Sequence, residues 1–298
     1  MGAPRHDGVE RSPRDRGAPR DESGPAGTGE FRTAAVRRSP ALRGRGDAWS
    51  LDGRLALVTG AGRGLGRGAA LALAAAGAEV VCVARSGAEL AAVAERIRAD
   101  GGVAHVHAAD VTDEAQVLGM VGRAEALGDL RVAVTAAGTN RPGPARDYSL
   151  ADWDALFDVN VRATFLTCRA VGDALLRRGA AGSIVTLSSQ MGSVGYPGRV
   201  AYCATKHAVE GLTKALAVEW ARDGVRVNAV APTFVETPLT RTFLDDPAFR
   251  AEVLDRRLPS GRLATVDEVA HAIRYLACDA AASTTGHVLK VDGGWTAW

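Results

Sequence analysis

The sequence predicts an α/β protein: a doubly wound parallel sheet in a single three-layer α/β/α domain. Three observations predict it. From Leu51 onward, short apolar runs alternate with segments of helical periodicity, and such repetition builds a parallel sheet covered by helices. The runs are continuous in Val, Ala and Ile, as strands covered on both faces must be. A glycine-rich turn, TGAGRGLG (59–66), joins the first run to the first helix.

Each element follows in chain order. RLALVTG (54–60) reads as a buried strand and GLGRGAALALAAAG (64–77) as a helix ended by glycine. AEVVCVAR (78–85) is a second strand, and AELAAVAERIRADG (88–101) a second, amphipathic helix closed by Gly101. Strand VAHVHAAD (103–110), a helix from Asp113, strand RVAVTAAG (131–138) and a long helical region through Trp153, Phe157 and Phe165 come next. Strand GSIVTLSS (182–189), helix 200–222, strand VRVNAVAP (225–232), helix 266–278 and strand HVLKVDG (287–293) complete the series. The stretch 233–263 breaks this rhythm just past a strand's carboxyl end, where a long insertion predicts a lid that excludes water. Its Phe234, Leu239, Phe243 and Phe249 either face a substrate or form the lid's own small core.

Residues 1–50 lie outside the pattern. They hold ten arginines, no lysine and seven acidic residues, whereas residues 51–298 hold 26 basic and 27 acidic ones. The basic excess therefore sits in the tail, and the near-neutral body has no charge suited to coating nucleic acid. Rich in Arg, Gly, Pro and Asp without periodicity, the tail reads as disordered. It is either a dispensable extension or a tether to acidic partners, and its interspersed acids favour the former. No apolar run is long enough to span a bilayer, and Arg37-Arg38 is followed by Ser39-Pro40-Ala41 rather than an export signal's apolar stretch. Cys82, Cys168, Cys203 and Cys278 lack metal-ligand spacing, so no metal is expected and packed thiols of a reducing cytoplasm are.

Chemistry enters at two places. Gly60, Gly64 and Gly66 let the backbone turn tightly and approach a pyrophosphate, whose charge meets a helix N-terminus. Leu65 stands where the commonest spacing of such loops has glycine. The second strand ends on Ala84-Arg85, without the acid that would grip a ribose 2′-hydroxyl, and Arg63 lies inside the loop. Two guanidiniums suit a 2′-phosphate, so NADP is expected over NAD, unless both arginines simply point into water. The second place is SSQMGSVGYPGRVAYCATK (188–206), where Ser189 precedes Tyr202 and Tyr202 stands four residues before Lys206. Four apart on a helix, phenol and ammonium share a face. The ammonium is expected to lower the phenol pKa from about 10 toward working pH. Tyr202 can then give a proton to a carbonyl oxygen or take one from an alcohol, with Ser189 holding the same oxygen.

With TGAGRGLG and YCATK both present, residues 51–298 resemble the short-chain dehydrogenase/reductase family in its roughly 250-residue cytosolic form, a Rossmann-type fold. The resemblance implies a catalytic tetrad of Asn160, Ser189, Tyr202 and Lys206. It implies cofactor contacts from the loop residues Gly60, Arg63, Gly64, Leu65 and Gly66 and from Arg85, Asp110, Val111, Gly138, Tyr202, Lys206, Val235 and Thr237. Asp110 would lie beside the adenine, Thr237 on the nicotinamide amide and Lys206 on the nicotinamide ribose, while Asn160 would anchor a proton-relaying water. Substrate would meet Ser189, Gln190, Tyr196 and Tyr202, although Tyr196 serves equally well as loop packing. His207 and Cys203 are expected to stand outside the chemistry.

Two positions depart from the family pattern: Thr135-Ala136-Ala137-Gly138 replaces its Asn-Asn-Ala-Gly, and Pro232-Thr233 its Pro-Gly. The expected reaction interconverts a secondary alcohol and a ketone, with a lean toward sugars, polyols or sugar acids. A 3-oxoacyl-thioester reductase is the alternative within the class, and a non-catalytic nucleotide sensor the alternative outside it. A homotetramer is implied by the resemblance alone.

Overall fold

The computed structural model describes residues 47–297. The expected disorder of the tail concerns residues that lie, up to residue 46, outside the described ones. Residues just before Leu51 already belong to the body: the Ala280 amide donates to the Ala48 carbonyl at 3.0 Å, and the Trp49 ring lies 5.8 Å from that of Tyr275.

The first half comprises β1 (Leu55–Thr59), α1 (Gly64–Ala75), β2 (Glu79–Ala84), α2 (Gly87–Ala99), β3 (Ala104–Ala108), α3 (Glu114–Leu127) and β4 (Leu130–Thr135). The second comprises α4 (Leu150–Phe157), α5 (Ala163–Arg177), β5 (Gly182–Leu187), α6 (Val200–Trp220), β6 (Val225–Pro232), α7 (Pro238–Leu244), α8 (Pro247–Ala251), α9 (Val266–Ala277) and β7 (Val288–Val291). The seven strands pair in parallel in the order β3-β2-β1-β4-β5-β6-β7. Alternate side chains feed two cores, as the strand period requires. Ala56 and Val58 of β1 pack with α1, α2 and α9, while Leu55 and Leu57 pack with α3, α5 and α6.

Strand order reverses between β1 and β4, so the crevice outside their carboxyl ends is where such a sheet binds ligands. Two predicted strands stop short there. The run 131–138 leaves the sheet after Thr135, and the run 182–189 after Leu187, freeing Ala136–Gly138 and Ser188–Ser189 to line that edge. The long helical region is also not continuous. A wider π-helical turn, Asp158–Arg162, separates α4 from α5 and carries Asn160. The expected lid stretch contains α7, α8 and a second π-helical turn, Glu252–Arg257.

Candidate active site

The glycine loop is shaped by steric necessity. Gly60 and Gly64 have φ of +67° and +55°, in the left-handed region that disfavours side chains. A β-carbon at Gly60 would stand 2.7 Å from the Ala137 amide nitrogen, so the loop rests directly on the chain leaving β4. One at Gly66 would overlap the Gly60 carbonyl. The helix this loop opens shares a bare N-terminus with α6 and differs from the capped helices. Ser86, Asp113, Ser149 and Thr265 cap α2, α3, α4 and α9 through their side chains. Arg63, by contrast, begins α1 with no side-chain cap, and no acidic residue follows in the first turn. The first amides of α1 and its dipole are left for an anion, which fits a dinucleotide pyrophosphate.

The rim of the loop fits the rest of the cofactor. Arg63 and Arg85 are both exposed, and neither has an ion-pair partner among the described residues. The Arg85 charge reaches Asp110, whose carboxylate accepts from the Thr112 amide and hydroxyl at 2.9 and 2.8 Å; these hydrogen bonds, more than the arginine, hold it below its ordinary pKa. Val111 is buried behind it. Thr237 faces the loop from the far side, its side chain 3.7 Å from where a Gly64 β-carbon would stand, and Val235 is buried in a short bridge to Ala264. Leu65 is half-buried against the α1 core.

The four residues of the expected tetrad converge beside this loop. Tyr202 and Lys206 share one face of α6, with Nζ 5.6 Å from the phenol ring centroid. Lys206 is buried and donates to the Leu187 carbonyl at 2.7 Å, so the end of β5 holds the ammonium. Two residues on, Ser189 opens a 3-10 turn, Gln190–Gly192, and its hydroxyl accepts from the Met191 amide at 3.2 Å. Asn160 accepts from the Thr139 amide at 2.8 Å and donates to the Thr139 carbonyl at 2.9 Å and the Thr205 hydroxyl at 3.1 Å. Its side chain thus clamps the loop after β4 to α6. Gly138 borders both groups: a β-carbon there would stand 3.3 Å from Asn160 Oδ1 and 3.9 Å from Lys206 Nζ.

The electrostatics differ from expectation. Burial pushes the Tyr202 phenol up to about 12, outweighing a Ser189 hydrogen bond and the Arg199 charge that draw it down. Burial likewise depresses Lys206 to about 8. The protein's own groups therefore keep the proton on the phenol, because α6 presents both side chains to a low-dielectric interior where each charged form is disfavoured.

The substrate side is partly settled by packing. Gln190 is buried, its Oε1 accepting from the Ser189 hydroxyl at 3.2 Å. The Tyr196 ring meets Phe234, Phe249 and Trp295 at centroid distances of 6.2, 6.5 and 5.9 Å, which favours its loop-packing reading. Of the lid residues, Phe234 and Phe249 join that cluster, Phe243 covers the Arg199 guanidinium, and Leu239 is exposed. His207 is exposed and bonded through Nδ1 to the Cys203 carbonyl, and burial raises the Cys203 thiol. Sequence reasoning passed over Arg199, three residues before Tyr202; its position was visible, but its lack of an acidic partner among the described residues was not.

An uncapped glycine-loop helix facing a half-buried tyrosine, a buried lysine and a serine defines a nicotinamide-dependent oxidoreductase site. A protein-family profile described as enoyl-(acyl carrier protein) reductase matches residues 60–296. The chain is 42% identical over 247 residues to the D-threitol dehydrogenase of Mycolicibacterium smegmatis, covering 83% of this chain and 94% of that one. It is 38% identical over 251 residues to the gluconate 5-dehydrogenase of Gluconobacter oxydans, covering 84% and 97%. A gluconate 5-dehydrogenase from Burkholderia cenocepacia, solved in complex with NADP and tartrate, superimposes with a TM-score of 0.81 at 39% identity, covering 85% of this chain and 98% of that one. The chain belongs to the short-chain dehydrogenase/reductase family and is an oxidoreductase of that family.

Proposed function

We propose that the protein is an NADP-dependent oxidoreductase that interconverts a secondary alcohol and a ketone on a sugar, polyol or sugar acid. The observation that carries this reading is the convergence of Ser189, Tyr202 and Lys206 at the carboxyl end of β5, beside a glycine loop whose helix lacks a cap. Arg63 and Arg85, without ion-pair partners among the described residues, support NADP, as does the NADP held by the Burkholderia cenocepacia relative. The threitol and gluconate dehydrogenases support the substrate class.

When bound, reduced nicotinamide supplies the hydride. Tyr202 hydrogen-bonds the substrate carbonyl oxygen and delivers its proton there; in the reverse direction it receives the alcohol proton. Ser189 donates to the same oxygen and fixes its direction. Lys206, held by the Leu187 carbonyl, places positive charge beneath the phenol and stabilises phenolate as it forms. Asn160 is a positioning residue that keeps the loop after β4 against α6. Gln190 orients Ser189, and α7 and α8 would form the lid over the site, α7 through Phe243 on the Arg199 guanidinium.

The proposal extends to a reducing cytoplasmic setting, supported by free thiols at Cys82, Cys168, Cys203 and Cys278. It extends also to a homotetramer, supported by Phe165 and Val218 exposed on the outer faces of α5 and α6. No helix among the described residues is long and apolar enough to cross a membrane, and none of their side chains form a metal-binding cluster. A 3-oxoacyl-thioester reductase is the second reading; it shares with the name of the matching profile a thioester-linked acyl chain, although that name refers to an enoyl and not an oxo group.

The test follows reduced nicotinamide absorbance with a panel of sugar ketones, sugar acids and 3-oxoacyl thioesters, using NADPH and NADH in parallel. Turnover of a sugar or sugar-acid ketone should prefer NADPH and fall about a thousandfold in Tyr202→Phe. Turnover of thioesters alone would move the substrate class, and full activity in Tyr202→Phe would remove the mechanism.

A further inference from the structure

A buried arginine beside Tyr202 has no acid to answer it among the described residues. Arg199 begins α6 and is 6% exposed. Its Nε is buried without a hydrogen-bond partner among the described residues, and its one protein acceptor is the Gly198 carbonyl, 3.3 Å from Nη1. One face of the guanidinium is covered by the Phe243 ring of α7, with Cζ 4.7 Å from the ring centroid. The charge reaches Tyr196, Tyr202, Cys203 and Tyr148, so the guanidinium lies within electrostatic range of the Tyr202 phenol, one helical turn along α6.

The rest of the chain shows how structural arginines are satisfied here. Arg226, also shielded from water, donates to the carbonyls of Leu276, Thr284, Ala277 and Cys278. Arg141, Arg250 and Arg257, on the loops and lid around the site, have Asp152, Glu236 and Glu252 as partners. A guanidinium withdrawn from water needs such partners, because an unpaired buried charge is strongly destabilising. Its flat fork of N–H donors matches a carboxylate in two-point contact, and stacking on an aromatic ring leaves that edge free to make it.

We propose that Arg199 binds the carboxylate of the substrate, and that the substrate is accordingly a polyhydroxy acid and not a neutral polyol. This rests on the reading of Tyr202 and Ser189 as the groups that hold the reacting oxygen. Carbonyl and carboxylate then belong to one molecule, with Phe243 closing over the acid end as α7 settles.

The test compares NADP-linked oxidation of D-gluconate with that of D-glucitol, the same carbon skeleton without the carboxylate. Wild-type protein is expected to favour gluconate. Arg199→Met should cut the ratio of the two kcat/KM values on the order of 100-fold, as loss of a charge-assisted contact does. Arg199→Lys, which keeps the charge but loses the fork and is the milder change to folding, should restore part of it. A preference for glucitol in the wild type, or a ratio indifferent to both substitutions, would overturn the proposal while leaving the oxidoreductase reading intact. Calorimetric titration of the same proteins with tartrate, a small hydroxy diacid, separates the other failure. Tartrate binding that is lost in Arg199→Met, with neither substrate oxidised, keeps the anion subsite and rejects the sugar-directed reading. Equal tartrate binding in both proteins rejects the subsite.

Discussion

Tyr202 sits between opposed influences, and the balance favours the protonated phenol. That state suits carbonyl reduction, which consumes a proton, and it makes alcohol oxidation depend on positive charge arriving beside the ring. At the outer end of the cofactor crevice the decision is simpler. Arg63 and Arg85 stand exposed without an ion-pair partner among the described residues, and a 2′-phosphate would supply their counter-charge. Replacing Arg85 by Asp should lower the ratio of kcat/KM for NADPH over NADH by about 10- to 100-fold, since one charge-assisted contact becomes a repulsion. Steady-state kinetics with both cofactors checks this, and an unchanged ratio would return Arg85 to the solvent-facing reading.

At the scale of elements, the site is assembled where strands stop and helices change pitch. Asn160 lies in the π-helical turn between α4 and α5, a local widening that turns a residue otherwise destined for a helix face toward the loop after β4. Asn160→Ala would remove three hydrogen bonds at once. The expected cost is about 2–3 kcal/mol in urea denaturation, with a lower kcat, because the half-buried Thr139 backbone groups lose their partner. Loss of kcat with no loss of stability would point to direct participation in proton transfer instead of a positioning role.

This element also marks what the sequence could and could not convey. The glycine loop and the Tyr202–Lys206 pair were legible because each works through local spacing, a tight turn or one helical turn. The Asn160–Thr139 clamp spans 21 residues, and the aromatic cluster of Tyr196, Phe234, Phe249 and Trp295 joins separate segments, so neither leaves a periodic trace. The early end of β4 was equally hidden, since Ala136 and Ala137 carry its apolar character past the point where the chain leaves the sheet, whereas β5 ends where Ser188 and Ser189 break the apolar run. The two departures from the family pattern have a visible consequence: the hydroxyls of Thr135 and Thr233 are both buried without hydrogen-bond partners among the described residues.

For the molecule as a whole, the site is a cost carried by the fold. Lys206 is buried and depressed from 10.5 to about 8, so its charged form destabilises the native state at neutral pH. Between those values the unfolded chain keeps a proton that the folded chain has released, so native stability rises with pH across that window. Relative to Lys206→Met, the wild type should gain about 3 kcal/mol between pH 7.5 and 10.5, measured by urea denaturation of both proteins. A constant difference would mean that Lys206 titrates normally and that its burial has little effect on its charge. The central claim, that Tyr202 drives hydride-linked reduction of a carbonyl in this crevice, is tested most directly by isotope transfer. Carbonyl-specific transfer of deuterium from 4-deuterated NADPH to 5-keto-D-gluconate would be followed by mass spectrometry of the product alcohol. Wild-type protein should place label on the newly formed carbinol carbon, and Tyr202→Phe almost none. An unlabelled product, or equal labelling by both proteins, would contradict it.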